Sequence, residues 1–187
     1  MGLDMYLHRK ENVYGEPAIE IKKANKLPLR DEEHPQYEWV QLVTECAYWR
    51  KANAIHKWFI NNCGEGDENR RTMEVSLEDL KELLRVCREV LQSIELVDGK
   101  VSNGYTIRKN SKGKIEKVYN FVDGKVIKDA TICKKLLSTC SGFFFGSTDY
   151  DEYYVECIQE TIEQLEGVIK DAEESDKDVW FEYYASW

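Results

Sequence analysis

Leu3, Met5 and Leu7 alternate with Asp4, Tyr6 and His8. That period of two puts the apolar side chains on one face of a strand and the polar ones on the other. A lone strand is not stable, so the chain must supply neighbours for it. The far end offers one. Val179-Trp180-Phe181-Glu182-Tyr183-Tyr184-Ala185-Ser186-Trp187 is dense in the residues that favour sheets. The expectation is a small antiparallel sheet that joins the N- and C-terminal strands. Gly15-Glu16-Pro17 punctuates the chain after the first strand. Ala18 to Lys22 reads as a second short strand, and 24–36, with Pro28 and Pro35, as a loop.

The segment from Tyr37 to Asn62 reads as one long helix. Trp39, Val40, Val43, Ala47, Ala54 and Trp58 fall on one side of it, and Tyr48, Ala52, Ile55 and Phe59 on another. A helix apolar over so wide an arc is expected at the centre of the domain, ended by Gly64 and Gly66. At helical spacing, Leu42, Cys46, Trp49, Asn53, His56, Ile60 and Cys63 share one stripe, apolar at both ends and polar in the middle. A buried polar group left unpaired costs about 1–3 kcal/mol. Asn53 and His56 are therefore either a satisfied structural pair or the floor of a ligand or catalytic pocket.

Ser76 precedes an amphipathic run with acidic residues in its first turn, which predicts a helix from Leu77 to about Ser93. From about 95 to 130 the pattern changes to short alternating runs. The pairs Asp98-Gly99, Asn103-Gly104, Lys112-Gly113 and Asp123-Gly124 read as turns. A β-hairpin or small meander projecting from the helical body is the expectation. Val97-Asp98-Gly99-Lys100-Val101 is echoed by Val122-Asp123-Gly124-Lys125-Val126, a likeness that turn chemistry accounts for at this level.

Thr131 to Leu137 reads as a short helix. Phe143-Phe144-Phe145, between Gly142 and Gly146, reads as a buried strand or tight crossing segment. Thr148-Asp149 is expected to cap a helix from Tyr150 to Asp171, with Tyr153/Tyr154, Cys157, Ile158, Ile162, Leu165 and Val168/Ile169 facing the core. The fold class is α+β: three main helices around a central one, a small antiparallel sheet and a projecting hairpin. One domain is expected across 1–187, with the hairpin as an insertion at about 95–130.

The chain has 187 residues, enough to bury a core without staples. Its charged fraction of 33% argues against a membrane protein, and no apolar run approaches the roughly 18 residues of a spanning helix. No signal peptide is readable, and Tyr6 stands where a myristoylation signal wants Ser or Thr. A cytoplasmic protein of a bacterial cell is the expectation. The six cysteines form no Cys-x-x-Cys pair and the three histidines are scattered, so neither a metal nor a cofactor is expected.

The net charge of −9 weakens any case for direct nucleic-acid binding and suits a protein that docks on a basic surface. The excess is uneven: 99–135 is net basic, and 149–182 is dense in Asp and Glu. Glu160, Glu163 and Glu166 are the candidate partner-binding residues. The catalytic case is thin. Asp4, Asp149 and Asp151 could serve as carboxylates with His56 as a base, and Asp149-x-Asp151 could hold Mg²⁺. No phosphate-loop, Rossmann or serine-hydrolase signature supports them. A binding pocket is at least as well supported, with Trp49, Arg50, Asn53, His56, Ser141, Phe144 and Asp149 as candidates. Arg50 would take an anion, and Trp49, Tyr48 or Phe144 would stack.

Three blocks carry a resemblance. The opening Met-Gly-Leu-Asp-Met-Tyr-Leu, the stretch from Tyr48 to Phe59 and the stretch from Ser141 to Glu152 resemble a family of small phage and prophage proteins. The aromatic-Ser-Trp ending is similar too, with Ala185 interrupting it. The resemblance implies a phage context and no residue roles. That context favours a non-enzymatic counter-defence inhibitor of the anti-CRISPR kind. Its expected partner is a host defence protein, an RNA-guided nuclease first. The alternative is a pocket protein that binds or hydrolyses a nucleotide-like small molecule.

Overall fold

A computed structural model describes residues 2–31, 33–110, 113–142 and 144–187. The expected pairing of the two ends is present. Strand β1 (Asp4–Tyr14) runs antiparallel to the C-terminal strand β6 (Val179–Ser186), with Met5 opposite Ala185 and Leu7 opposite Tyr183. Two more strands complete an antiparallel sheet in the order β2-β1-β6-β3, where β2 is Trp39–Arg50 and β3 is Thr72–Val75.

The long central helix is not there. Its first half is β2, and only Asn53–Cys63 is helical, as α2. The same apolar residues satisfy both periods over a short window, and the residue types decide between them. Trp39, Val40, Val43, Thr44, Tyr48 and Trp49 are β-branched or aromatic and fit a pleated surface beside β1. A bulge at Leu7/His8 leaves Cys46 as the extra residue, its thiol donating to the Leu7 carbonyl at 3.2 Å. Lys51, at φ 58°, then turns the chain from β2 into α2, and its amide donates to the Leu3 carbonyl at 2.7 Å. The stripe from Leu42 to Cys63 therefore spans a strand and a helix rather than one helical face.

Ala18 to Lys22 is likewise helix, within α1 (Glu16–Ala24), because Pro17 sits in its first turn, where the missing N–H costs nothing. The following loop is pinned by Glu38, whose buried carboxylate accepts from Lys22 Nζ and the amides of Arg30 and Asp31.

Helix α3 (Leu77–Gln92) begins at Ser76 with a full capping box to Asp79. Strands β4 (Leu96–Lys109) and β5 (Ile115–Ile127) form a separate two-stranded antiparallel sheet. Its chain reversal lies between Asn110 and Lys114, where the Asn110 amide donates to the Lys114 carbonyl. Of the four expected turn pairs, Asp98-Gly99 and Asp123-Gly124 lie inside the strands, and Asn103-Gly104 coincides with a register shift. Lys112 lies outside the described residues.

Helix α4 (Thr131–Leu136) leads to a coiled segment and then to α5 (Glu152–Glu173). Asp151, not Thr148 or Asp149, caps α5, accepting from the Tyr154 amide at 3.2 Å. Neither Phe144 nor Phe145 lies in a strand. Phe144 is exposed at φ 65° and Phe145 is buried, while Phe143 lies outside the described residues. Side chains from α2, α3 and α5 build one core with Leu3, Met5, Leu7, Trp49, Met73, Phe181 and Tyr183 from one face of the sheet. The other face carries Tyr48, Tyr6 and Tyr184 side by side across three strands, with ring centroids 5.2 and 6.0 Å apart. None of the described helices is long and apolar enough to cross a membrane.

Candidate functional site

The polar residues expected at the centre are at the N-terminal end of α2, where β2, α2 and the 138–149 segment meet. Asn53 is buried and makes three side-chain hydrogen bonds. Its Nδ2 donates to the carbonyls of Phe145 (3.1 Å) and Ser147 (2.7 Å), and its Oδ1 accepts from the Cys140 amide at 3.2 Å. The Cys140 thiol adds a contact to the Asn53 carbonyl at 3.3 Å. One side chain thus ties a coiled segment that has no ladder of its own to the helix, as buried backbone groups require. Both Asn53 donors and one of its two acceptor positions are spent on the chain itself, which makes it a structural tie.

Trp49 is also committed. Its indole N–H donates to Thr161 Oγ1 on α5 at 3.0 Å, and that hydroxyl donates to the Cys157 carbonyl at 2.6 Å. Arg50 projects from the end of β2, its side chain 60% exposed and 3.7 Å from Asp4. Asp149 is exposed, and with Asn53 it borders a space of about 20 Å³. That is room for about one water. Seven residues named from the sequence therefore do not form one pocket. Trp49 and Asn53 are structural, Arg50 and Phe144 are exposed, and Asp149 lies with Ser141 along an open surface groove that none of the other five lines.

His56 and Ser141 are brought together. Both line a pocket of about 240 Å³, with Phe145 and Trp187 among its walls. The His56 ring is fully buried, its centroid 5.3 Å from Phe145 and 5.4 Å from Trp187, both edge-on. Its Nδ1 lies 2.7 Å from the Tyr183 hydroxyl, and its Nε2 has no hydrogen-bond partner among the described residues. Burial lowers the imidazole pKa to about 4, so the ring is neutral at pH 7. Burial also pushes the nearby Cys140 thiol up to about 11, which leaves no reactive thiolate at the pocket. Sequence reading missed Phe145 and Trp187 as pocket residues and Tyr183 as the partner of His56, because these neighbours are set by packing between segments far apart in the chain.

Asp151 is the cap of α5, and desolvation raises its carboxyl pKa, so the Asp149-x-Asp151 pair is not a matched set of cation ligands. Among the described residues no group of three His, Cys, Asp or Glu side chains is placed to hold a metal.

The second candidate region is α5. Glu160 and Glu163 are exposed and, with Glu156, make no ion pair among the described residues. Spacings of three and four residues place all three on one helix face. Glu166 differs: its carboxylate meets Arg88 of α3 at 2.7 Å. Gln164 on the same helix accepts from the Tyr48 amide at 2.8 Å, capping part of the open edge of β2. Comparison with protein-family models, curated proteins and solved structures found no match to this chain.

Proposed function

We propose that this is a cytoplasmic counter-defence protein of phage origin. It acts by docking its α5 face on the nucleic-acid groove of a host nuclease, with an RNA-guided nuclease as the leading target. The observation that carries the reading is the row Glu156, Glu160 and Glu163. These carboxylates are exposed and unpaired, on a helix held rigid by Trp49–Thr161 and Gln164–Tyr48, while the neighbouring Glu166 and Glu173 are spent on α3. Fixed negative charge in a row competes for the same Arg and Lys side chains that hold phosphates. The net charge of −9 and the resemblance to small phage proteins support the same reading.

The test is inhibition of target cleavage by a panel of purified RNA-guided nucleases. Wild type is expected to inhibit at least one member, less so as salt rises. Glu156→Lys/Glu160→Lys/Glu163→Lys is expected to lose inhibition by tenfold or more with an unchanged melting temperature. No inhibition across the panel, or a triple variant as potent as wild type, overturns it.

A further inference from the structure

The net charge of −9 conceals a local reversal. Between Ser102 and Phe121 the sequence carries Arg108, Lys109, Lys112, Lys114 and Lys117 against Glu116 alone. This is the outer half of the β4–β5 hairpin. The ion pairs Lys100–Asp123 and Lys125–Asp98 lie nearer its base. Arg108, Lys109 and Lys114 are exposed and make no ion pair among the described residues. The same half exposes large rings: Tyr119 is 59% and Phe121 60% exposed. Two residues apart on β5, they share one face of the ribbon at a spacing of about 7 Å. Ser102 pairs with Phe121 and Tyr105 with Tyr119, so β4 carries an extra residue there, and Gly104 takes φ 72°. Such a bulge re-aims the side chains beside it. The Tyr105 and Tyr119 ring centroids are 6.2 Å apart.

These three rings line an open groove of about 820 Å³, whose other wall is the coiled segment after α4. Ser141, Gly142, Gly146, Ser147 and Thr148 give that wall hydroxyls and backbone in place of large side chains. Lys51 and Asp149 are the charged residues among the described lining, and they offset each other. The groove is thus near neutral, and the positive charge lies beyond it along the hairpin. Apolar planes facing hydroxyls suit a flat ring with polar edges, and the cations beyond suit phosphates. A duplex keeps its base faces stacked and offers none to Tyr119 and Phe121. A bilayer would meet exposed Ile107 and Ile115 near the tip but cannot enter a groove walled by protein.

We propose that the groove and the outer hairpin bind single-stranded nucleic acid. Successive bases stack on Tyr119 and Phe121, and the phosphates follow Arg108, Lys109 and Lys114, a pairing of aromatic platform and basic track that unstacked strands favour. The acidic remainder of the chain confines binding to this one finger. The proposal does not rest on docking by α5.

The experiment is fluorescence anisotropy of labelled oligouridylate, oligodeoxythymidylate and a duplex of equal length, titrated with the full chain, alongside co-sedimentation with phosphatidylglycerol vesicles. At least one single strand is expected to bind saturably, tenfold or more tightly than the duplex, and more weakly as salt rises. Tyr119→Ala/Phe121→Ala is expected to weaken binding at least tenfold with the salt dependence kept. Arg108→Gln/Lys109→Gln/Lys114→Gln is expected to weaken it with a shallower salt dependence. All five side chains are exposed, so the melting temperature of both variants is expected to match wild type. No binding of either single strand at low salt overturns the proposal, and so does an aromatic variant that binds like wild type. A duplex bound as tightly overturns the single-strand assignment. Vesicles bound in place of either strand would make the hairpin a membrane contact and overturn it too.

Discussion

Gly99 and Gly124 stand opposite each other across β4 and β5, and each is covered by a valine of the other strand. A Cβ on Gly99 would lie 2.4 Å from Val126 Cγ2, and one on Gly124 would lie 2.8 Å from Val101 Cγ2. Lys100 pairs with Asp123 at 2.6 Å and Lys125 with Asp98 at 2.7 Å. The two Val-Asp-Gly-Lys-Val segments are thus the two halves of one locally two-fold pairing. Their likeness comes from each being the other's template, not from turn chemistry. Exposed ion pairs of this kind contribute little, so the valine-on-glycine packing sets the register.

Gly99→Ala tests that account. The added methyl forces Val126 to move, and overpacking of this kind costs about 1–3 kcal/mol. The effect is expected to be local: faster amide exchange across Leu96–Ile127 with protection in α3 unchanged. Val126→Ala in the same chain is expected to restore most of the lost protection. Equal exchange in Gly99→Ala and wild type would show that the two strands are not so tightly nested.

Asn53→Ala removes the tie between α2 and the segment that follows α4. It leaves the Cys140 amide and the carbonyls of Phe145 and Ser147 without their partner. With about 1–3 kcal/mol for each buried group left unmet, and water able to reach some of them, the expected loss is about 2–4 kcal/mol. Urea unfolding measures it. Protease nicking within 138–149 is expected to rise in parallel, because that segment has no ladder of its own.

The sequence was most legible where one period ran alone. Leu3-Met5-Leu7, the run after Ser76 and the aromatic C-terminal segment each fit one element, and the structure places those elements where the pattern did. It failed at Tyr37 to Asn62, where large apolar residues fit both a period of two and a period of 3.6. What breaks the tie is non-local: β1 needs a second neighbour, and β2 supplies it. His56 and Asn53 were identifiable as buried polar groups, but their partners were not. Tyr183 lies 127 residues from His56 in sequence, and Ser147 lies 94 from Asn53. Such distances are closed only by topology.

Glu38→Gln should loosen the loop between α1 and β2. The carboxylate accepts from Lys22 and from the Arg30 and Asp31 amides, and the Lys22 hydrogen bond leads the effects that hold its pKa below the usual 4.5. A carboxyl lowered on folding stabilises above its unfolded pKa, and that contribution is lost as pH falls through the folded value. Wild type is therefore expected to lose melting temperature below about pH 4.5 more steeply than the Gln variant. At pH 7 the variant is expected to melt lower, with faster exchange at the Arg30 and Asp31 amides.

His56 acts in a different pH window. Its folded pKa is about 4 against 6.5 unfolded, so between those values the unfolded chain binds more protons and stability rises with pH. The contribution is complete above about pH 6.5, fades as pH falls towards 4, and changes no further below that. The gap corresponds to about 3 kcal/mol at most. His56→Asn keeps an acceptor near the Tyr183 hydroxyl and removes the titration. Unfolding measured at several pH values is expected to show a stability slope between pH 6.5 and 4.5 in wild type that the variant lacks. An imidazole that titrates near 6.5 in the folded protein by NMR would mean that water reaches the ring, and the slope would vanish with it.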